Sequence, residues 1–175
     1  MAEDDVLVFS KIRNSAFTPT KASKFSAGWD IYSPLDVHIQ QNGTHKLGTG
    51  LTINAMPKDC YCRIAERSSV SIRKLVVGGG VIDSDYRGEI FVILHNISND
   101  HAFIPAGTAV AQVIVEKVYL MQHVVCLDSL VNNPAEGKQQ TSEEVRGDKG
   151  FGELSGDPNI THGTVHPPQK ETLDK

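Results

Sequence analysis

The chain has 175 residues, of which 39% are hydrophobic and 22% are charged, and its formal net charge is −4. This size predicts one domain with a substantial core plus a tail, and the acidic balance disfavours sequence-independent binding to nucleic acids. No apolar run approaches the ~18 residues of a membrane span, and the acidic start lacks the basic-then-apolar pattern of a signal peptide.

The cysteines number three, an odd count that does not indicate a disulfide framework. We therefore expect a reducing intracellular compartment, the cytoplasm or the nucleus. The sequence Cys60-Tyr61-Cys62 lacks the second ligand pair of a zinc site. Half-buried thiols in a strand are the simpler interpretation.

Short runs of β-branched and apolar residues recur along the chain and are separated by turn residues, a spacing typical of an all-β sandwich or barrel. Within the run 89–97, the stretch "IFVIL" is apolar on both faces and predicts a central strand. The segment 68–75 permits a short helix with Val70 and Leu75 toward the core. The predicted strand runs are 6–9, 36–40, 45–55, 61–65, 74–77, 89–97, 101–104, 108–118 and 122–127.

Composition changes near residue 130, where large apolar residues become sparse and Pro, Gly, Gln and acidic residues dominate. Such a segment cannot bury enough apolar surface to order itself. We therefore expect a β domain over 1–130 and a flexible arm over 131–175. Within the arm, "RGDKGFG" (146–152) places a phenylalanine between glycines after an arginine. It is either a chance hydrophobe or a mobile flap that closes over a ligand.

The stretch "GGGVIDSDYRGE" (78–89) lies between two predicted strands and predicts a hairpin-like excursion. Its glycines fit positions where the backbone bends or approaches another group closely. Asp83 follows two apolar residues, so its carboxylate leaves the hydrophobic layer and is suited to take a proton from water. Tyr86 offers a flat face with a polar tip. A solvated acidic turn is the alternative interpretation.

Three further stretches combine turns or strands with polar side chains. In "AGWDIYS", Asp30 follows a glycine turn. In "ERSSVS", Arg67 and two serines follow a strand; they suit phosphate oxygens, although a helix N-cap with a surface arginine is the alternative. In "AGTAVAQVIV", Gln112 lies in an apolar strand and either faces outward or offers its amide to an anion.

In this order, "AGWDIYS", "ERSSVS", "GVIDSDYRGE", "GTAVAQVIV" and "RGDKGFG" resemble the five sequence motifs of the trimeric dUTP pyrophosphatase (dUTPase) family. The resemblance spans 27–152, and the third motif is the most specific. It implies a jelly-roll-like β-barrel or sandwich subunit and a homotrimer whose active sites lie at subunit boundaries and draw motifs from all three chains. It also implies hydrolysis of dUTP to dUMP and pyrophosphate with Mg²⁺ on the triphosphate, which keeps uracil out of DNA and supplies dUMP.

The resemblance assigns roles to residues of this chain. Asp83 resembles the general base that activates the water attacking the α-phosphorus, and Tyr86 resembles the ring that leaves no room for a 2′-hydroxyl. The backbone at Gly80 and Val81 resembles the groups that recognise the uracil edge. Asp30 resembles the acid that supports the water shell of the metal, so few direct protein ligands are expected.

Two further groups of residues resemble the parts of the family site that hold phosphate. The cradle consists of Arg67, Ser68, the backbone at Ser69, and Gln112. The closing arm uses Arg146, Phe151 and Gly152, with the phenylalanine stacked on uracil and the arginine neutralising phosphate charge.

The chain departs from the family pattern at several positions. Glu153 and Leu154 stand where two hydroxyl residues are usual near the γ-phosphate, so either the arm closes less tightly or neighbouring residues substitute for them. Thr108 and Ala109 stand where an acid and an arginine are usual, and Glu66 replaces a small residue or proline. The remaining charged residues of the third motif are interpreted as turn and surface residues: Asp85, Arg87 and Glu89.

Three alternative functions are weighed against this one. dCTP deaminase is a sister family with the same fold, but Ile93 stands where its catalytic glutamate is expected, and isoleucine cannot carry a proton. A dUTPase-like nucleotide-binding or regulatory protein with weakened turnover would explain the altered arm, although a pure binder has no need of Asp83. A structural β-sandwich protein is not expected to carry five such motifs in order.

Overall fold

The computed structural model describes residues 6–121, which form eleven strands and one short helix. The helix α1 spans Ser68–Ser71, and strand content of this kind confirms the all-β prediction. The strands are β1 (Val8–Lys11), β2 (Trp29–Tyr32), β3 (Val37–Ile39), β4 (Thr44–Gly48), β5 (Leu51–Ala55), β6 (Cys60–Ala65), β7 (Leu75–Gly78), β8 (Val81–Ile82), β9 (Phe91–Asn96), β10 (Ala102–Ile104) and β11 (Ala109–Lys117).

The strands form a four-stranded sheet in the order β2-β11-β6-β8, a three-stranded sheet in the order β4-β9-β7, and the pairs β1-β5 and β10-β3. All seven strand pairings are antiparallel. β7 and β9 pair in one sheet, whereas β8, which lies between them in the chain, pairs with β6 in the other. The excursion predicted at 78–89 therefore crosses from one sheet to the other, as expected of a jelly-roll-like fold.

Most predicted strand runs correspond to strands, with three differences. The run 89–97 contains β9, which is central in its sheet, as predicted. The run 45–55 is two strands, because Gly50 turns the chain with φ 70° between β4 and β5. β2 and β8 have no counterpart among the predicted runs: β2 carries Asp30, and aspartate is depleted in strands, while β8 has only two residues. The run 122–127 lies outside the described residues.

A hydrophobic core lies between the sheets. Its largest fully buried aliphatic side chains come from β2, β4, β5, β9 and the segment before β9, and each contributes about 1.5–3 kcal/mol by leaving water. They are Ile31, Leu47, Leu51, Ile53, Leu94 and Ile90. The core holds both sheets in place, so the strands present the polar side chains of their outer faces from a fixed backbone.

The four-stranded sheet has an inner apolar face and an outer polar face. β11 pairs Val113 with Ile64 of β6 inside, while Gln112 pairs with Ala65 and lies opposite Asp30 of β2 outside. The register of β11 against β2 shifts between Ala109 and Ala111, as at a β-bulge. Val110 and Ala111 are consecutive and both buried, which strict alternation does not allow.

The helix is shorter than the segment predicted at 68–75. Val70 is buried, as expected, but Leu75 reaches the core as the first residue of β7. Lys74 has φ 58°, a left-handed conformation that ends the helical turns before the strand.

The cysteines of β6 confirm the interpretation as strand thiols, and they are more buried than expected. Cys60 and Cys62 are free and buried. Burial raises the pKa of the Cys62 thiol to about 11, with a smaller contribution from Cys60. Among residues 6–121, no helix is both long and apolar enough to cross a membrane.

Candidate active site

Three predicted site residues meet at one end of the outer face of the four-stranded sheet. Arg67 Nε lies 2.8 Å from Asp30 Oδ1, and both side chains are largely buried, with 29% and 14% of their surfaces exposed. Asp30 is fixed because its backbone exchanges hydrogen bonds with Thr20. Gln112 lies opposite Asp30 in the register of β2 and β11. Asp30 therefore lies beside the cradle of Arg67, Ser68, Ser69 and Gln112.

The amide of Gln112 is oriented by its neighbours. Its Nε2 donates to the backbone oxygen of Glu66 at 2.9 Å. A Cβ at Gly28 would come within 2.6 Å of Gln112 Oε1, so the glycine of "AGWD" leaves the space in which the amide lies. Ser68 and Ser69 begin α1 beside these groups and are exposed. The cradle therefore combines a fixed cation, a fixed amide and two exposed hydroxyls.

The two departures of the fourth motif, Thr108 and Ala109, both make contacts through their backbone oxygens, and Ala109 does so with the cradle. Arg67 Nη1 donates to the backbone oxygen of Ala109 at 3.3 Å, and the oxygen of Thr108 accepts from Ser33 N at 2.9 Å. Backbone groups at these two positions therefore serve the local structure whatever their side chains are.

The glycines of the excursion lie where the backbone approaches β6. Ile64 N donates to Gly80 O at 2.7 Å, and a Cβ at Gly80 would lie 2.3 Å from Ile64 O. Gly79 has φ 58°, a conformation that favours glycine. Val81 follows in β8 and is 59% exposed. The uracil-recognition role of Gly80 and Val81 stays a prediction.

Asp83 and Tyr86 lie in the turn after β8. Tyr86 N donates to Asp83 O at 3.1 Å, and the Tyr86 hydroxyl donates to Glu89 O at 2.8 Å. The Tyr86 side chain is packed, with 6% of the residue exposed. Asp83 borders an open cleft of about 620 Å³, together with Tyr61 and Val81. The turn thus presents a carboxylate at the edge of a space large enough for part of a ligand.

The cradle and Asp83 lie at opposite ends of β6. Ile82 pairs with Cys62, so Asp83 follows at the level of Tyr61. Arg67 is six residues further along an extended segment, which corresponds to roughly 20 Å at about 3.3 Å per residue. One subunit therefore does not bring its base candidate and its cradle together.

A family model described as dUTPase matches residues 14–153. The deoxyuridine 5′-triphosphate nucleotidohydrolase of Rabbitpox virus (strain Utrecht) is 38% identical over 146 residues, which cover 82% of this chain and 89% of the relative. The chain belongs to the dUTPase family. The enzyme of the same description from Monkeypox virus is also 38% identical, over 82% of this dUTPase and 87% of its own length.

Solved dUTPase structures share the fold. The native EIAV dUTPase superposes with a TM-score of 0.59 and 26% identity, covering 65% of this dUTPase and 90% of the EIAV chain. A dUTPase from phage phi11 of S. aureus, described with a structural Mg(II) ion, gives a TM-score of 0.64 at 18% identity. That match covers 73% of this dUTPase and all of the phage chain, and at this identity it supports the fold alone.

Two glutamates have structural roles that sequence reasoning did not find. The Glu89 side chain is 11% exposed and pairs with Arg13 at 2.5 Å, so its interpretation as a surface residue is wrong. Glu66 Oε1 accepts from Val77 N at 3.2 Å, which joins the segment before Arg67 to β7. Acceptors 39 and 11 residues away from their backbone donors leave no local signal in a sequence.

A third cluster lies on the outer face between the two ends of β6. Arg63 Nε donates to Glu116 Oε1 at 2.9 Å, and the Tyr61 hydroxyl donates to Glu116 Oε2. The bonds from Arg63 and Tyr61 lower the pKa of the Glu116 carboxyl below its ordinary value. The bond to Glu116 raises the pKa of Tyr61.

Arg146, Phe151 and Gly152 lie outside the described residues, as do Glu153 and Leu154. Among residues 6–121, no three His, Cys, Asp or Glu side chains are grouped as metal ligands. The roles of the arm residues and of Asp30 toward a metal therefore stay predictions.

Proposed function

We propose that this dUTPase hydrolyses dUTP to dUMP and pyrophosphate in sites shared between copies of the chain, with Asp83 as general base. The chemistry class follows from the family and from relatives described as deoxyuridine 5′-triphosphate nucleotidohydrolases. The observation that carries the shared site is the register of β6 with β8, which puts Asp83 at the level of Tyr61, six residues and thus roughly 20 Å along the chain from Arg67. The alternative of a deaminase is disfavoured by these relatives and by Ile93, an aliphatic residue in β9.

In the proposed reaction, Asp83 takes a proton from water at the edge of the cleft. The water oxygen bonds to the α-phosphorus, and the bond from that phosphorus to the oxygen bridging the α- and β-phosphates breaks. Pyrophosphate leaves with the electron pair of that bond. A carboxylate suits the step because it is a weak enough base to exist ionised at neutral pH.

Substrate selection is proposed to occur in the turn and the excursion. The packed ring of Tyr86 cannot swing away, because its hydroxyl is bonded to Glu89 O. A ring held in this way would exclude a 2′-hydroxyl by contact. The backbone around Gly80 is drawn onto β6 and would meet the uracil edge with little freedom. A backbone held in this way would exclude the 5-methyl group of thymine by contact. Such exclusion discriminates more strongly than the ~1–3 kcal/mol that a site gains or loses when it merely lacks a contact for one methyl group.

The cradle is proposed to bind the phosphate chain. The guanidinium of Arg67 offers N–H donors in a planar fork that matches phosphate oxygens. Asp30 holds Arg67 through Nε, and Ser68, the Ser69 backbone and Gln112 lie alongside. Because this fork is fixed before substrate arrives, little side-chain entropy is lost on binding.

A homotrimer would combine the two halves. Asp83 of one copy would face the cradle of a second copy, and a third copy would supply the arm. The outer face of the four-stranded sheet carries both halves, so a neighbour packed on this face would bring them together. A symmetric ring of three copies then has three equivalent sites.

Mg²⁺ fits this arrangement as an ion carried on the triphosphate. It keeps most of its waters and is commonly held by one or two carboxylates plus substrate phosphates. When bound, it would offset the negative charge of the phosphate chain. Asp30, which is beside Arg67, is the carboxylate that we propose to accept hydrogen bonds from its water shell.

The segment 131–175 is proposed to act as a flexible arm that closes the site through Arg146, Phe151 and Gly152. Closure would stack the phenylalanine on uracil and bring the arginine to phosphate. A chain ending before Arg146 is expected to fold and assemble as the parent does, with much lower turnover of dUTP. Size-exclusion chromatography with light scattering, together with steady-state kinetics, measures both. Parent turnover in the truncated chain would show that the arm is dispensable.

A panel of nucleotides tests the function as a whole. The purified protein is incubated with Mg²⁺ and dUTP, dCTP, dTTP or UTP, and pyrophosphate release is measured. We expect release from dUTP far above release from the other three. Tight binding of dUTP without release would refute hydrolysis, and release of ammonia from dCTP would point to a deaminase instead.

A further inference from the structure

Glu89 connects three parts of the chain that are distant in sequence. Its carboxylate accepts from Gly50 N at 2.9 Å and from Arg13 Nη2 at 2.5 Å. Its backbone oxygen accepts from the Tyr86 hydroxyl at 2.8 Å. The residue therefore links the N-terminal segment and the turn before β5 to the ring proposed to select the sugar.

Of the two bonds to the Glu89 carboxylate, the one from Gly50 N matters more for the local structure. Gly50 is buried, so its N–H needs a partner, and its φ of 70° keeps that N–H in a turn which other residues adopt with strain. A Cβ at Gly48 would lie 2.7 Å from Glu89 Oε1, so the carboxylate fills the space beside this glycine. The Arg13 side chain is half exposed, and its ion pair is weakened by solvent.

The peptide that accepts from Tyr86 is held on both sides. Ile90 N donates to Leu51 O at 2.8 Å, and Ile90 O accepts from Thr49 N at 3.1 Å. The backbone of Ile90 and the side chain of Glu89 thus fasten the segment leading to β9 onto the turn between β4 and β5. A Cβ at Gly88 would lie 2.4 Å from the Tyr86 hydroxyl oxygen, so the ring also sits directly over the intervening glycine.

We propose that Glu89 is a positioning residue for sugar selectivity: by bracing its own backbone against Gly50 and Arg13, it holds the acceptor that orients the Tyr86 ring. This inference rests on the proposed function, in which that ring excludes a 2′-hydroxyl. Without the carboxylate, the Gly50 N–H loses its acceptor and the 89–90 peptide gains freedom. The ring can then tilt enough to admit a ribose.

The test compares the kcat/KM ratio for dUTP over UTP in the parent, Glu89→Ala, Glu89→Gln and Arg13→Gln. Glu89→Ala is expected to lower the ratio on the order of tenfold, mainly because kcat/KM for UTP rises. Glu89→Gln keeps an oxygen for Gly50 N and is expected to restore most of the ratio. Arg13→Gln removes the solvent-weakened ion pair with Glu89 and is expected to lower the dUTP/UTP ratio by less than Glu89→Ala does.

Asp36→Ala is the matched control. Asp36 Oδ1 accepts from Ala106 N at 2.7 Å, so this variant also removes a carboxylate that holds a turn, but away from Tyr86. The control is expected to lose some thermal stability and to keep the dUTP/UTP ratio. If Glu89→Ala does not fold, Arg13→Gln and Glu89→Gln carry the comparison.

The outcomes separate the two proposals. A parent that discriminates strongly, with all folded Glu89 and Arg13 variants keeping its ratio, would overturn the role of Glu89 and leave the proposed function intact. A ratio that falls equally in Asp36→Ala would also overturn it, since general loosening would then suffice. A parent that does not hydrolyse dUTP would instead refute the proposed function.

Discussion

The two ends of β6 are built in different ways. At the cradle end, strands of one sheet hold Asp30, Arg67 and Gln112 in contact with each other or with backbone. At the other end, Asp83 belongs to a turn and borders an open cleft of about 620 Å³. The half that we propose to bind phosphate is therefore ordered by strand register, whereas the half that carries the proposed base depends on the shape of a turn.

This difference indicates which substitutions each end tolerates. A change in the cradle breaks a contact between neighbouring strands, so binding suffers first. A change at Asp83 leaves the sheet intact and removes a chemical group. Substrate affinity and turnover should thus respond separately to the two ends, which gives the following predictions.

The largest effect is expected for Asp83→Asn. The amide has the shape of the carboxylate but cannot take a proton from water, so kcat should fall about 10³-fold while dUTP binding is retained. Steady-state kinetics and calorimetric titration with dUTP measure the two quantities. Asp85→Asn, in the same turn and on the same cleft, is the matched control and should keep most of the activity. Parent-like kcat in Asp83→Asn would exclude the general-base role.

A mixture of two weakened variants tests whether the ends belong to different copies. Arg67→Ala should raise the KM for dUTP about 10- to 100-fold, because it removes the fork and leaves the largely buried Asp30 without this cation. When equal amounts of the Arg67→Ala and Asp83→Asn variants are co-assembled, about a quarter of the sites should recover activity. These are the sites that combine an intact Asp83 from one copy with an intact cradle from another.

Activity is measured at low dUTP, where each variant alone is poor, after joint refolding of equal amounts. The reference is a mixture of the Asp83→Asn and Arg73→Ala variants. Arg73 is an exposed residue shortly after α1, so its loss leaves the cradle unaffected. Activity of the mixture no higher than the mean of its components would place both ends in one subunit and remove the argument for shared sites.

The smallest effect concerns the cluster between the two ends. Because Arg63 and Tyr61 lower the pKa of Glu116, the folded state binds a proton there less readily than the unfolded chain does. The stabilisation is present above the ordinary carboxyl value of about 4.5 and is lost as the pH falls through the lower folded-state value. Thermal unfolding of the parent and of Glu116→Gln should differ slightly at pH 7 and converge in acid. A difference that grows toward acid pH would contradict this sign.

The sequence offers candidate residues for the site but not their arrangement. Asp83, Arg67 and Gln112 could be singled out because each combines a functional side chain with a strand end, a turn or an apolar strand. Their arrangement depends on the register of β6 with β8 and β11, which no local pattern specifies. The distance between Asp83 and Arg67 was therefore not predictable.

Glu89 shows the same limit for structural residues. In the sequence it is one of several charges in a polar turn, which favours a solvated position. Its partners Arg13 and Gly50 are 76 and 39 residues away, and contact with them follows from the sheet topology. β2 was missed for a different reason, since it follows a glycine and carries Asp30, a residue type that is depleted in strands.

The bulge of β11 determines which of the later side chains of that strand face the core and which face outward. Val110 is the additional residue, and it lets Ala111 stay inside while the amide of Gln112 emerges on the same side as Asp30. Deleting one residue here would invert every later side chain of β11, turning Val113 to water and Glu116 inward. The length of this short segment is thus under tighter constraint than the identity of its apolar residues.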